Sequence, residues 1–317
     1  MAYLMEISFD NSCRLARRSY VFEYEDVTFK LVQDNPRKWA DHLLTIVPAV
    51  TSPEAEKAFA AACQFISAFG WEHQASVAVW ETGGGGWSDD HLLKQAKPRI
   101  RTFPRVPFRG NTVGCDLHRL PDVQTNDQRV ALALYREARA ANSSYLQLLF
   151  YWQVMEVGRG ADAVSFVDSA WRRDRAHLHV RVSDVNELPL AGRSLGQYLL
   201  DDCRHAIAHI RRKPGKMKLD LDVREERSRL ARSAWVVQAF AEHYIRARLG
   251  LTKHVWLVRP RRGGVPRFMD QGTMLSVPGG VKRGYPEPRF RLSAPARRRG
   301  RSTASPRARL RAGRTLP

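Results

Sequence analysis

Near Thr125 the spacing of apolar side chains changes, and that change limits the folds open to this chain more than any other feature. Upstream, residues 20–25 (YVFEYE) and 27–32 (VTFKLV) are rich in aromatic and β-branched residues, and the second run alternates with polar positions as a half-buried strand does. Residues 42–47 and 75–80 are further apolar runs of strand length. Between them Ser52-Pro53-Glu54 supplies an N-cap, a first-turn proline and an early acid. Ala58, Phe59, Ala62, Phe65, Ile66 and Phe69 then recur at helical spacing. Downstream of Thr125 the apolar residues follow helical spacing over 127–141 and 143–157, with Asn142-Ser143 as cap material between them. Further helices are predicted over 161–172, 194–212 and 222–249, whereas 176–190 reads as irregular, with His177, His179 and Arg181 alternating on an exposed face.

Two stretches interrupt this order. Gly83 to Gly86 end a strand; four glycines can cradle a phosphate, but no Gly-Lys-Ser/Thr follows, and Asp89 and Asp90 would repel the anion. A loop or hairpin tip is predicted there. Four prolines between Pro98 and Pro121 predict a linker.

The chain has 317 residues, of which 44% are hydrophobic, enough to bury a real core. The formal charge of +20 comes mostly from residues beyond Arg259, where arginine, proline, glycine and serine prevail and acids are scarce. Such a tail cannot bury enough apolar surface to offset its ordering entropy, and it adheres to RNA or acidic surfaces weakly and without sequence preference. The four cysteines, Cys13, Cys63, Cys115 and Cys203, lie far apart with no paired spacing, which argues against a disulfide framework or a zinc knuckle. Charges interrupt every apolar run short of a membrane span and no charged-then-apolar leader opens the chain, so no membrane association and a cytoplasmic location are expected.

One hexad suggests a chemistry. Arg204-His205-Ala206-Ile207-Ala208-His209 puts a permanent guanidinium and two imidazoles into one predicted helix. Metal-free RNA cleavage needs those groups: a base near neutral pH for the 2′-hydroxyl and a fixed cation for the crowded phosphate. At helical spacing Leu199, Cys203, Ala206, Ile207 and Ile210 form the buried stripe, Asp201, Asp202, His205 and His209 fall opposite, and Arg204 sits at the border. On an ideal helix Arg204 and His209 diverge by roughly 140°. They meet only if the arginine stem wraps along the helix or two copies of the helix face each other across a two-fold axis. A second reading stays open: Asp201/His205 and His205/His209 are i,i+4 pairs of the kind that decorate a solvated face. His205 and His209 also have zinc-helix spacing, but no Glu follows His205 and no third ligand stands nearby, so no metal and no cofactor are expected.

The helix over 143–157 is apolar nearly all round and predicts burial, yet Gln153 and Glu156 share one face. A buried carboxylate needs a partner, and Arg204 is the most attractive one. The other reading leaves Glu156 exposed at the helix end and unpaired.

An apolar helix ending in Gln-x2-Glu, a short helix, then Arg-His-x3-His resembles the HEPN superfamily, particularly its Apea-like branch. The chain is also similar to proteins labelled methylamine-utilisation protein MauJ, through Tyr-Trp-Gln-Val-Met-Glu at 151–156 and Arg-x-Ala-Ile-Ala-His at 204–209. The resemblance covers roughly residues 125–250. It implies a helical bundle that dimerises and, in many members, a metal-independent endoribonuclease. Carried onto this chain, it makes His209 the general base or acid at the 2′-hydroxyl, Arg204 the stabiliser of the transition state, and His205 an orienting group. Other members have no nuclease activity and serve as dimerisation or RNA-binding modules, and the MauJ label implies no reaction.

The expectation is therefore an α+β protein with a mixed α/β domain of unknown role over 1–115, a linker over 116–124, a HEPN-like helical bundle over 125–258 and a disordered basic tail over 259–317. Its expected site is Arg204, His205, His209 and Glu156. Expected partners are a second copy of the chain, RNA, and an antitoxin or defence protein. The alternative functions are a non-catalytic helical dimerisation or RNA-binding module and an accessory factor of methylamine utilisation.

Overall fold

The structure, a computed structural model, describes residues 2–33, 40–79, 85–88, 93, 114–115, 117–158, 162–208, 223–257 and 268–270. The tail predicted over 259–317 lies outside them, apart from 268–270. Helices and antiparallel sheet coexist, which makes the protein α+β.

The main sheet is built around β1 (Ala2–Asn11), where the spacing analysis places no strand. Its odd residues Met5, Ile7 and Phe9 alternate with Glu6, Ser8 and Asp10, so the two faces differ in character. β1 pairs antiparallel with β5 (Ala40–Val47), which pairs with β4 (Val27–Gln33), which closes a hairpin with β3 (Ser19–Tyr24). The hairpin turns at Glu25 and Asp26, both at positive φ (50° and 58°).

Ile7, Phe9, Phe29, Leu31 and Leu43 pack against α1 (Pro53–Glu72), whose Phe65 and Phe69 complete this core. The start of α1 follows the sequence: the Ser52 side chain accepts the N–H of Ala55 at 3.1 Å, and Pro53 begins the first turn. The opposite face of the sheet buries Glu6, Ser8, Lys30 and His42, with His42 Nδ1 2.8 Å from Glu6 Oε1. A buried carboxyl group is tolerated when a polar partner stands at this distance.

Past α1, β6 (Val77–Val79) and β7 (Gly85–Ser88) both pair with β1, on the edge away from β5. The loop predicted at Gly83–Gly86 is thus corrected in part. Gly85 and Gly86 are strand residues opposite Met5 and Leu4, because the free edge of β1 offers backbone hydrogen bonds there.

The reading of the cysteines is corrected too. β2 (Arg14–Leu15) pairs parallel with β8 (Gly114–Cys115), and Cys13 and Cys115 form a disulfide with Cα atoms 6.1 Å apart. The bridge spans 102 residues of sequence. Spacing could not reveal it, because the contact is made by strand pairing rather than by neighbours in the chain. The predicted proline-rich linker likewise ends in order, as β9 (Arg119–Pro121) pairs with β10 (His254–Leu257), which pairs with β11 (Phe268–Asp270).

The helical part forms a second core. α2 (Asn126–Ala140) opens with a full capping box between Thr125 and Gln128. α3 (Ser144–Glu156) is capped by Ser143, and α4 (Ala163–Arg173) by Asp162. Short pieces follow: a 3-10 turn at Arg175–His177 and α5 (Val182–Asn186), in the stretch expected to be irregular. α8 (Arg224–Ala247) is the long helix, and with α2 it flanks α3, which buries Leu148, Tyr151, Trp152, Val154 and Met155.

The two cores are stitched together along α1 and α2. Trp71 packs edge-on to Tyr135 with ring centroids 5.0 Å apart. The Tyr135 hydroxyl bonds both Gln74 (3.0 Å) and the buried Glu242 of α8 (2.7 Å). Among the described residues no helix is long and apolar enough to cross a membrane.

Candidate functional site

The hexad sits where a helix changes pitch. Ser194 caps α6 (Leu195–Tyr198), accepting the N–H of Gln197 at 3.2 Å. Gly196 lets this helix lie against α4: its N–H bonds Asp168 at 2.8 Å, and a Cβ there would stand 2.6 Å from the Val164 carbonyl oxygen. From Leu199 to Arg204 the backbone widens into a π turn, and the N–H of His205 bonds the carbonyl of Leu200 five residues back. Ordinary pitch resumes in α7 (His205–Ala208).

The expectation of one regular helix over 194–212 is corrected accordingly. A π turn takes more residues per revolution, so the angle drawn between Arg204 and His209 on an ideal helix does not carry over. Residues 209–212, with the second imidazole, lie outside the described residues.

The widening has a partner across the core. Arg229 of α8 donates from both terminal nitrogens to the carbonyl of Asp202, at 3.3 Å each. It also donates to the Tyr198 hydroxyl at 3.0 Å and to both carboxylate oxygens of Glu226, at 3.2 and 2.7 Å. A carbonyl taken up by a guanidinium is released from the helix ladder, which favours the wider turn. Burial works against the Arg229 charge, but the Glu226 and Tyr198 bonds outweigh it and hold its pKa above the usual arginine value. Burial pushes Tyr198 up to about 12, with Cys203 adding to the shift. Burial also raises the thiol of Cys203, which lies 3.5 Å from the Ser233 hydroxyl. Such a thiol is a packing group rather than a nucleophile.

The outer face is different. Leu199, Cys203 and Ala206 are buried as the stripe predicts, while Asp201, Asp202, Arg204 and His205 reach solvent. Asp202 bonds Arg193, whose own pKa that bond raises. His205 Nδ1 lies 3.7 Å from Asp201 Oδ1, with its side chain 43% exposed.

Arg204 Nη2 stands 3.6 Å from Glu156 Oε1, the oxygen that accepts the indole N–H of Trp152 at 2.8 Å. Trp152 is anchored in the core, so the carboxylate is aimed by a rigid group. Glu156 itself is not buried: it ends α3 with its side chain 37% exposed, and it pairs with Arg204 none the less. Each of the two sequence readings was half right. Gln153, on the same helix, is exposed.

Arg204 and Glu156 therefore meet where α3 faces the π turn, whereas the ion-pair contact of His205 is with Asp201, one turn back along its own helix. Sequence reasoning missed Trp152, whose i,i+4 spacing to Glu156 was legible. It also missed Arg229, which no local signal reveals. Among the described residues no group of three or more His, Cys, Asp or Glu is placed to hold a metal ion.

No curated protein and no solved structure matches the chain. Over residues 131–246, which run from α2 to the end of α8 and include Glu156, Arg204 and His205, it is similar to the family described as methylamine utilization protein MauJ.

Proposed function

We propose that the helical part has a HEPN-like fold and cleaves single-stranded RNA without a metal, as a homodimer. Arg204 stabilises the charge that develops on the phosphate, with Glu156 as its positioning residue. His209 removes the proton from the 2′-hydroxyl, and His205 orients the phosphate or assists. The 2′-oxygen attacks phosphorus, the bond to the 5′-oxygen breaks, and that oxygen leaves with a proton. The product ends are a 2′,3′-cyclic phosphate and a 5′-hydroxyl.

One observation carries this reading: the Arg204 guanidinium is aimed by a carboxylate that is itself aimed by Trp152, yet it remains open to solvent. A merely structural arginine is held more closely, as Arg229 is. The setting we propose is defence or toxin-like, with a protein antitoxin or defence partner.

Incubation of RNA in EDTA tests the proposal. Wild type should leave cyclic phosphate ends, and Arg204→Ala and His209→Ala should abolish them. Equal degradation by wild type and both variants would sink it.

The match over 131–246 favours a second reading, an accessory role in methylamine utilisation without RNA cleavage. Unchanged growth on methylamine after deletion of the gene would count against that role.

A further inference from the structure

α8 leaves a tryptophan in water. Trp235 is 58% exposed, more than any other large apolar side chain among the described residues. It shares a helix face with Ala231, Gln238 and Arg246, away from the Arg229 contacts, so it belongs to a surface other than that of Arg204.

A second element runs along this face in the opposite direction. After α4, Asp174 bonds His243 at 3.2 Å, His179 approaches Glu242 at 3.8 Å, and Glu187 bonds Arg232 at 2.8 Å. Trp235 stands between the last two contacts. The end of α4 and the segment after it present Arg172, Arg173, Arg175 and Arg181 to solvent. Arg175 also stacks over Trp171, its guanidinium carbon 4.3 Å from the ring centroid.

Three acids of the strip have partners, Asp174 in His243, Glu187 in Arg232, and Glu242 in Tyr135, Gln238 and Arg246; Asp184 of α5 is the fourth acid. Across residues 172–187 four arginines stand against three acids, next to an exposed indole on α8.

We infer that this face binds single-stranded nucleic acid, with a base stacked on Trp235 and phosphates held by Arg175 and Arg181. Stacking on an aromatic ring tolerates any base, and arginines spaced along an extended segment follow a backbone rather than one anion. A second copy of the chain fits less well, since a two-fold interface centred on Trp235 would set these arginines against one another. An anionic membrane fits less well too, because one indole on a rigid helix offers little apolar surface to insert. The inference shares with the proposal above only the choice of a single-stranded polynucleotide.

The test is titration of the full chain with fluorescent oligothymidylate, which has no 2′-hydroxyl and cannot be cleaved by the chemistry proposed above. Trp235→Ala should weaken binding roughly tenfold and Trp235→Phe should restore much of it. The double variant Arg175→Ala/Arg181→Ala should flatten the salt dependence by roughly 1.4 logarithmic units per decade of salt.

Equal affinities for wild type and Trp235→Ala would overturn the inference. So would loss of dimer in Trp235→Ala by sedimentation, or displacement of the oligonucleotide from wild type but not from Trp235→Ala by phosphatidylserine vesicles. Oligothymidylate binding that depends on Trp235, beside RNA left uncleaved, would sink the nuclease reading and leave this one standing.

Discussion

Two arginines mark the two sides of the π turn and are held in different ways: Arg229 bonds its backbone from α8, and Arg204 projects from its end. Arg229, on the core side, is mostly buried and spends its donors on a carbonyl, a phenol and a carboxylate. Arg204, on the outer side, has one loose ion pair, to an oxygen already shared with an indole. Burial and full satisfaction make a guanidinium a brace. Exposure with partial orientation leaves it able to meet a ligand. The difference teaches which of the two to suspect of chemistry, and it can be broken by experiment.

The largest effect is expected at the brace. Arg229→Met leaves the Glu226 carboxylate without its partner and the Asp202 carbonyl unsatisfied, and should cost roughly 3 kcal/mol in urea unfolding. A loss below 1 kcal/mol would mean the π turn needs no brace.

Alkaline pH attacks the same region. Tyr198 ionises near 10 when unfolded and at about 12 when folded, so the folded state favours its neutral form. Its contribution is complete below pH 10 and is lost as pH rises through 12, with a ceiling of roughly 2.7 kcal/mol. Denaturation followed between those pH values should show the decline, and Tyr198→Phe should reduce it.

Gly196→Ala comes next, because the new methyl meets backbone rather than a movable side chain. A loss of roughly 1–3 kcal/mol in thermal unfolding is expected, and an unchanged Tm would show that α4 and α6 can separate freely.

Glu156→Gln should be the smallest, under about 1 kcal/mol, since an exposed pair contributes little. If Glu156 orients Arg204, its effect on RNA cleavage should match that of Arg204→Ala and the double variant should add nothing. Additive losses would break the coupling.

Much of the fold was legible because local chemistry declared it. Ser52, Thr125 and Ser143 mark helix starts in the sequence, and each caps a helix in the structure. The apolar spacing placed Leu199, Cys203 and Ala206 inward as found. β1 was equally declared, by its alternation of Met5, Ile7 and Phe9 with Glu6, Ser8 and Asp10, but was not read. What could not be seen were features set by distant partners: the pairing of Gly85 and Gly86 with β1, the meeting of Cys13 and Cys115, and the π turn. At the site, the Glu156–Arg204 pairing was legible as a question of charge, whereas the brace at Arg229 arises only once α8 packs.

The bridge from Cys13 to Cys115 makes a closed covalent ring of α1, the strands from β2 to β8 and everything between, while β1 lies outside it. A protease that cuts one peptide bond inside that ring produces no smaller molecule until a thiol opens the bridge. Gels run with and without reductant should therefore disagree after such a nick, the first showing two pieces and the second one.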